Sequence, residues 1–214
     1  MLHFKTIDSG TLDLLVKLQR IPAFSELRLV GGTALALQIG HRKSVDLDFF
    51  GTITADEYEL SKQLTETGQA TILRKTENIS IYVIDGIKTD IVNFHYKWLV
   101  NPLIESGLIL AGMEDIAAMK LAAITGRGTK KDFIDLYFLL KHFSLKQMLD
   151  FYLQKYPDGS EFIVLKSLSY FDDAEEDEIP VMLEPLKWGT AKKIITSSLE
   201  DYVKNRQGRL SCEL

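Results

Sequence analysis

The chain has 214 residues, 46% hydrophobic and 26% charged, the make-up of a folded globular protein with room for one large core or two small ones. Its net charge of −5 argues against a protein that coats nucleic acid nonspecifically, although local basic clusters can still meet phosphate. No run approaches the roughly 18 uninterrupted apolar residues of a membrane span. The single cysteine, Cys212, leaves no intramolecular disulfide and no cysteine zinc site.

The opening Met1-Leu-His-Phe-Lys carries no apolar signal segment, so a cytoplasmic address is expected. Residues 8 to 20 read as a helix with Leu12, Leu15 and Val16 on one side. A strand-like run over 27–30 leads into Gly31-Gly32-Thr33, a short helical stretch follows to Ile39, and a second strand, Val45 to Phe50, carries Asp46 and Asp48. Strand side chains alternate faces, so the two aspartates should share one face while Val45, Leu47 and Phe49 pack into a core on the other. Carboxylates held side by side repel unless a cation sits between them. A glycine pair ahead of a helix lets backbone and helix N-terminus approach a phosphate. Ser44 should project to the Asp46 face, either to meet phosphate or to end the loop, and the basic stretch His41-Arg42-Lys43 precedes it.

Thr54 with Glu57 reads as a capping box opening a helix to about Gly68, and 70–76 as a strand. The clearest hairpin signal is Asp85-Gly86 between the β-branched runs 79–84 and 87–94. Closing that turn pairs Ile84 with Ile87 and sets Asp90 opposite Ile81. A cation held by one strand alone would have poor geometry, so a third carboxylate should come from a neighbouring strand. Asp90 is the candidate; alone, it could equally be a polar residue on an exposed strand face.

Past Pro102 and Gly112 the pattern is helical: 113–124, 130–143, a third helix opened by a Ser144/Gln147 capping box and running to Tyr156, then 161–170 and 190–208. The acidic run 172–178 reads as an exposed connection. The expected fold class is therefore α/β (α+β), a mixed sheet with helices over residues 1–112, followed by an all-helical domain over 113–214. The four histidines, His3, His41, His95 and His142, show no metal-ligand spacing, and the aromatic-rich stretch 133–143 reads as core.

Gly-Gly-Thr with Asp-Leu-Asp on the next strand resembles the signature of the DNA polymerase β-like nucleotidyltransferase superfamily. The wider string from Gly31 to Phe50 resembles one branch of it, the AbiEii/AbiGii abortive-infection toxins of type IV toxin–antitoxin systems. The superfamily usually has Gly-Ser where this chain has Gly32-Thr33. A second block, Lys120-Leu-Ala-Ala-Ile-Thr-Gly-Arg127-Gly-Thr-Lys-Lys131-Asp132-Phe-Ile-Asp135-Leu, is similar to the family's downstream motif, and Tyr170-Phe-Asp-Asp-Ala, Pro180-Val-Met-Leu and Trp188 to its C-terminal region.

The resemblance implies a polymerase β-like fold and an NTP-dependent nucleotidyltransferase. Asp46, Asp48 and Asp90 would bind Mg2+ (or Mn2+), Asp90 as ligand or as general base. Gly31, Gly32, Thr33, Ser44 and Arg42 would hold the triphosphate. Lys120 would contact the nucleotide phosphates, Asp135 would complete the active-site cleft from the helical domain, and Arg127 and Lys131 would meet triphosphate or acceptor phosphate. The acceptor would be RNA, with the tRNA 3′ end foremost, and the partner a cognate antitoxin. Simpler roles stand beside these: Lys131 and Asp135, four apart, could form an exposed ion pair, and Asp132 suits a helix first turn whatever the chemistry. A protein or small-molecule acceptor such as an aminoglycoside, or a non-catalytic nucleotide- or partner-binding module, are the alternatives.

Overall fold

A computed structural model describes residues 1–210; Cys212 lies outside them. The chain divides into two compact units, Met1–Met113 and Glu114–Leu214.

The first unit is built on one seven-stranded sheet. Its strands in chain order are β1 (Leu27–Val30), β2 (Leu47–Gly51), β3 (Ala70–Lys75), β4 (Ile79–Ile84), β5 (Ile87–Asn93), β6 (Leu103–Glu105) and β7 (Leu108–Leu110). In space they run β3-β4-β5-β2-β1-β7-β6. The β2–β5 and β1–β7 pairs are parallel, and the other neighbours antiparallel. Three helices accompany the sheet: α1 (Ser9–Leu18), α2 (Gly31–Ile39) and α3 (Glu57–Thr67). Leu14, Leu15 and Leu18 of α1, Leu35 and Leu37 of α2, and Leu29, Leu47 and Phe49 of the strands are buried, with Phe24 edge-on to Phe49 at 4.9 Å. Aliphatic burial of this kind, about 1.5–3 kcal/mol per side chain, is what holds the sheet against its helices.

The 85–86 turn forms as its sequence demands. Asp85 (φ 50°) and Gly86 (φ 83°) both take the positive φ of a type I′ turn, and Ile84 faces Ile87 while Ile81 faces Asp90. Three expectations change. Strand β2 begins at Leu47, not Val45, and Val45 is 60% exposed, because the residues before Leu47 belong to the loop leaving α2. Helix α3 is capped by Asp56, whose side chain accepts from the Glu59 N–H, so the cap sits two residues beyond Thr54. The β6–β7 hairpin, turned at Ser106-Gly107, lies where no strand was expected; its strands are only three residues long, and β7 joins the sheet by pairing with β1.

The second unit contains α4 (Met113–Gly126, continuing from the first), α5 (Lys130–Leu139), α6 (Leu145–Lys155), α7 (Glu161–Leu168), the one-turn α8 (Asp172–Glu175) and α9 (Trp188–Leu210). The Ser144/Gln147 capping box opens α6. Helix α5 stops at Leu139 rather than Phe143, since N–H groups of Lys141 and His142 bond back three residues and close the turn that this box requires. Phe133, Phe171 and Trp188 pack as an aromatic trio 4.9–6.1 Å apart. In the same unit Lys155 and Asp115, both fully buried, form an ion pair at 2.7 Å.

The acidic run is not a loose connection. Ala174 is fully buried, Glu175 accepts from Trp188 Nε1 at 3.0 Å and pairs with Lys192, and Asp177 Oδ2 accepts from the Lys130 N–H at 2.9 Å. The Lys130 ammonium is drawn inward to the carbonyls of Glu175 and Asp177, leaving it 5% exposed instead of part of a basic surface. Among the described residues no helix is long and apolar enough to cross a membrane.

Candidate active site

The site starts with strand register. In the parallel β2–β5 pair, Asp48 is the direct partner of Asp90. Paired residues on adjacent strands point to one face, with backbones about 4.8 Å apart, so the two carboxylates are neighbours by construction. Leu47, Phe49, Thr89 and Ile91 fill the opposite face and are fully buried, which fixes the pairing against a one-residue slip.

Helix α2 begins immediately after β1 and beside Asp48. Gly31 has φ +69°, and a Cβ built on it would overlap the Asp48 carboxylate, with Cγ 3.2 Å away. No other residue type leaves that space. The N-cap of α2, Val30, supplies no side-chain hydrogen bond, so the first turn of the helix presents Gly31, Gly32 and Thr33 without a side-chain cap. An uncapped helix start with glycine at its first two positions suits an anion.

Thr33 and Ser44 work on the loop. The Thr33 hydroxyl, 1% exposed, lies 2.9 Å from Ser44 Oγ and also bonds the Asp46 carbonyl. This ties the entry of β2 to α2 and holds Asp46 just ahead of the strand. Arg42, expected to reach phosphate, is 3% exposed, and its Nη1 donates to the Lys43 carbonyl at 2.9 Å. His41 is likewise buried, so the basic stretch is mostly internal. Asp90 is bonded by its strand neighbour Lys88, whose Nζ lies 2.7 Å from its carboxylate oxygens.

Among the described residues no three His, Cys, Asp or Glu side chains are gathered tightly enough to enclose a metal ion. The expected trio of Asp46, Asp48 and Asp90 is therefore not a closed cage. Asp46 precedes the strand instead of lying on it, and Asp90 is engaged by Lys88. The donors nonetheless fit a hard divalent cation: they are carboxylate oxygens, two of them fixed side by side in register, on an open face.

The downstream block forms a different kind of constellation, inside the second unit. Lys120 on α4 is 6% exposed, and its ammonium lies 2.9 Å from Asp132 and 2.7 Å from Asp135, both on α5. Asp132 also closes a capping box with Thr129. Burial pushes the Asp132 carboxyl up, but the Lys120 charge and the Thr129 hydroxyl outweigh it and hold it below the usual carboxylate range. Asp135, fully buried, takes Lys120 as an ion-pair partner. Lys131 is half-buried and Arg127 exposed. Sequence spacing did not reveal Lys88, which the alternation Lys88-Thr89-Asp90 could have placed on the Asp90 face.

A mixed sheet carrying paired acids beside a glycine-started helix, with a helical C-terminal part, is the fold of nucleotidyltransferases. Solved structures agree: MenT4, the nucleotidyltransferase toxin Rv2826c from Mycobacterium tuberculosis H37Rv, superposes with TM-score 0.55 at 15% identity over 91% of this chain and 86% of its own. JHP933 from Helicobacter pylori superposes with TM-score 0.57 at 19% identity, covering 96% of this chain and 98% of its own. The model of the nucleotidyl transferase AbiEii toxin of type IV toxin–antitoxin systems matches residues 13–109 and 110–205, and the chain belongs to that family. It is a nucleotidyltransferase enzyme. Uncharacterized protein aq_aa25 of Aquifex aeolicus (strain VF5) is 35% identical over 199 residues, 90% of this chain and 96% of that protein.

Proposed function

We propose that the enzyme is a divalent-metal-dependent toxin that transfers a nucleoside monophosphate from an NTP to a hydroxyl of RNA, foremost the tRNA 3′ end. The observation that carries this reading is the in-register pair Asp48–Asp90 with Gly31 packed against Asp48 at the start of α2. Asp46 and Asp48 would hold the ion, Mg2+ or Mn2+, with Asp90 beside them. Such an ion, when bound, offsets charge on the triphosphate oxygens.

The chain's own groups supply the rest. N–H groups of Gly31, Gly32 and Thr33 face the phosphates at the uncapped helix start, and Ser44, fastened by Thr33, keeps the loop in place. The acceptor hydroxyl attacks the α-phosphorus in line, the P–O bond to pyrophosphate breaks, and the hydroxyl proton passes to Asp90. Lys88, already paired with Asp90, keeps that carboxylate oriented. Lys120 and Asp135 act through the second unit's frame: their buried pair fixes α4 against α5 and thereby positions Arg127 and Lys131. In the cell the outcome is growth arrest in the cytoplasm, relieved by a cognate antitoxin.

The test is incubation with each of four α-labelled triphosphates and total tRNA, with and without Mg2+. Wild type should label RNA only with the ion, and Asp46→Ala should not label it at all. Label travelling with protein would reassign the acceptor, and wild-type-like labelling by Asp46→Ala would reject the mechanism.

A further inference from the structure

The second unit carries a groove of about 350 Å³ between the end of α4 and helix α7, and of its lining only Arg127 has a part in the transfer chemistry. Its lining includes Arg127, Phe162, Ile163, Lys166, Tyr170 and Asp173. Phe162 is 74% exposed and Tyr170 51%. Two aromatic rings thus stand open to solvent beside one groove.

The charges around them are uncommitted. Among the described residues, neither the Arg127 guanidinium nor the Lys166 ammonium makes an ion pair or side-chain hydrogen bond. In a larger groove of about 970 Å³ along α9, two of the three lining cations are committed. There Arg206 is paired with Glu161 and Lys146 with Asp150. The one acid lining the smaller groove, Asp173, accepts from the Tyr170 hydroxyl at 3.2 Å and so steadies that ring. Exposed rings interleaved with free cations are what single-stranded nucleic acid uses: bases stack on the rings and phosphates meet the cations.

We propose that this groove binds the unpaired single-stranded end of the RNA acceptor, with Phe162 and Tyr170 as stacking surfaces and Arg127 and Lys166 on successive phosphates. The proposal rests on the reading of RNA as acceptor and locates, on the second unit, where the strand is held.

The test is fluorescence anisotropy of the full chain with a labelled eight-nucleotide single-stranded RNA. Phe162→Ala should weaken binding roughly tenfold or more, the scale of one lost base stack. Phe162→Tyr should bind like wild type, whereas Phe162→Leu, which keeps apolar area without a π face, should behave like the alanine variant. Lys166→Gln should lower the slope of log K against log salt by about 0.7, one phosphate contact on a single strand.

Binding within twofold of wild type in both Phe162→Ala and Lys166→Gln overturns the proposal. So does a result in which these variants spare RNA but weaken association with a second protein chain, which would assign the patch to a protein partner. Triphosphate binding, followed by calorimetry on the same samples, separates the two ideas. Wild type that binds RNA through the groove but no Mg2+-triphosphate counts against the transfer reaction, and the converse counts against the groove.

Discussion

Gly31 bears two constraints at once: a backbone at φ +69° and a carboxylate where a side chain would go. Gly31→Ala should therefore destabilise the chain by about 1–3 kcal/mol, read by urea unfolding, and push Asp48 off its position. Triphosphate binding should fall with it. A variant that is destabilised yet binds triphosphate normally would show that the close approach serves the fold alone. Asp48 is more local still. Asp48→Asn keeps the shape and removes the charge, so Mg2+-dependent triphosphate binding should disappear from calorimetry while the variant still unfolds cooperatively in urea. At this scale the sequence was informative about the strand faces of Asp48 and Asp90, through alternation and the Asp-Gly turn that sets Asp90 opposite Ile81, while their pairing in register came only from the sheet. It was silent about Arg42 and His41. Nothing in a run of three basic residues says that the chain will fold two of them inward, since that depends on what packs over the loop.

At the level of elements, the α4–α5 pairing is held by a buried lysine between two acids, and α4–α6 by Asp115 with Lys155. Asp132 has its pKa depressed in the folded state, so it contributes stability above its unfolded pKa, near pH 4, and loses that contribution as pH falls through the lower folded value. Asp132→Asn should accordingly flatten the acid limb of stability against pH, with the difference from wild type largest above pH 5 and vanishing below the folded pKa. A parallel shift at every pH would mean the carboxylate charge is irrelevant. Lys155→Met alone should cost about 3–5 kcal/mol, because it takes the buried ammonium away from the fully buried Asp115 carboxylate. Periodicity found most of these helices, and the Ser144 cap was plain. It could not find β6 and β7, whose three residues each are too short to show alternation, nor see that Asp172–Glu175 would be pulled into a helical turn by Trp188, Lys192 and Lys130.

For the molecule as a whole, the two tryptophans, Trp98 and Trp188, stand in different compact units. With Trp98→Phe, fluorescence reports the second unit alone, and with Trp188→Phe the first. Ligand bound only to the native first unit should raise the unfolding free energy seen by Trp98 by about 2.7 kcal/mol at one hundred times Kd, if the nucleotide site lies where Asp48 and Gly31 place it. No Mg2+-triphosphate effect on the Trp98 signal would move the site elsewhere.

The Asp115–Lys155 pair has a consequence for how relatives of this chain can diverge. Loss of either member takes from the other a fully buried counter-charge at 2.7 Å, so a lineage replacing them one at a time passes through a form weakened by several kcal/mol, comparable to the whole margin of a modest domain. Simultaneous exchange for two well-fitting apolar residues carries no such barrier. Descendants should therefore keep both or neither, and a chain found with a single member should show a new counter-charge within reach of the survivor.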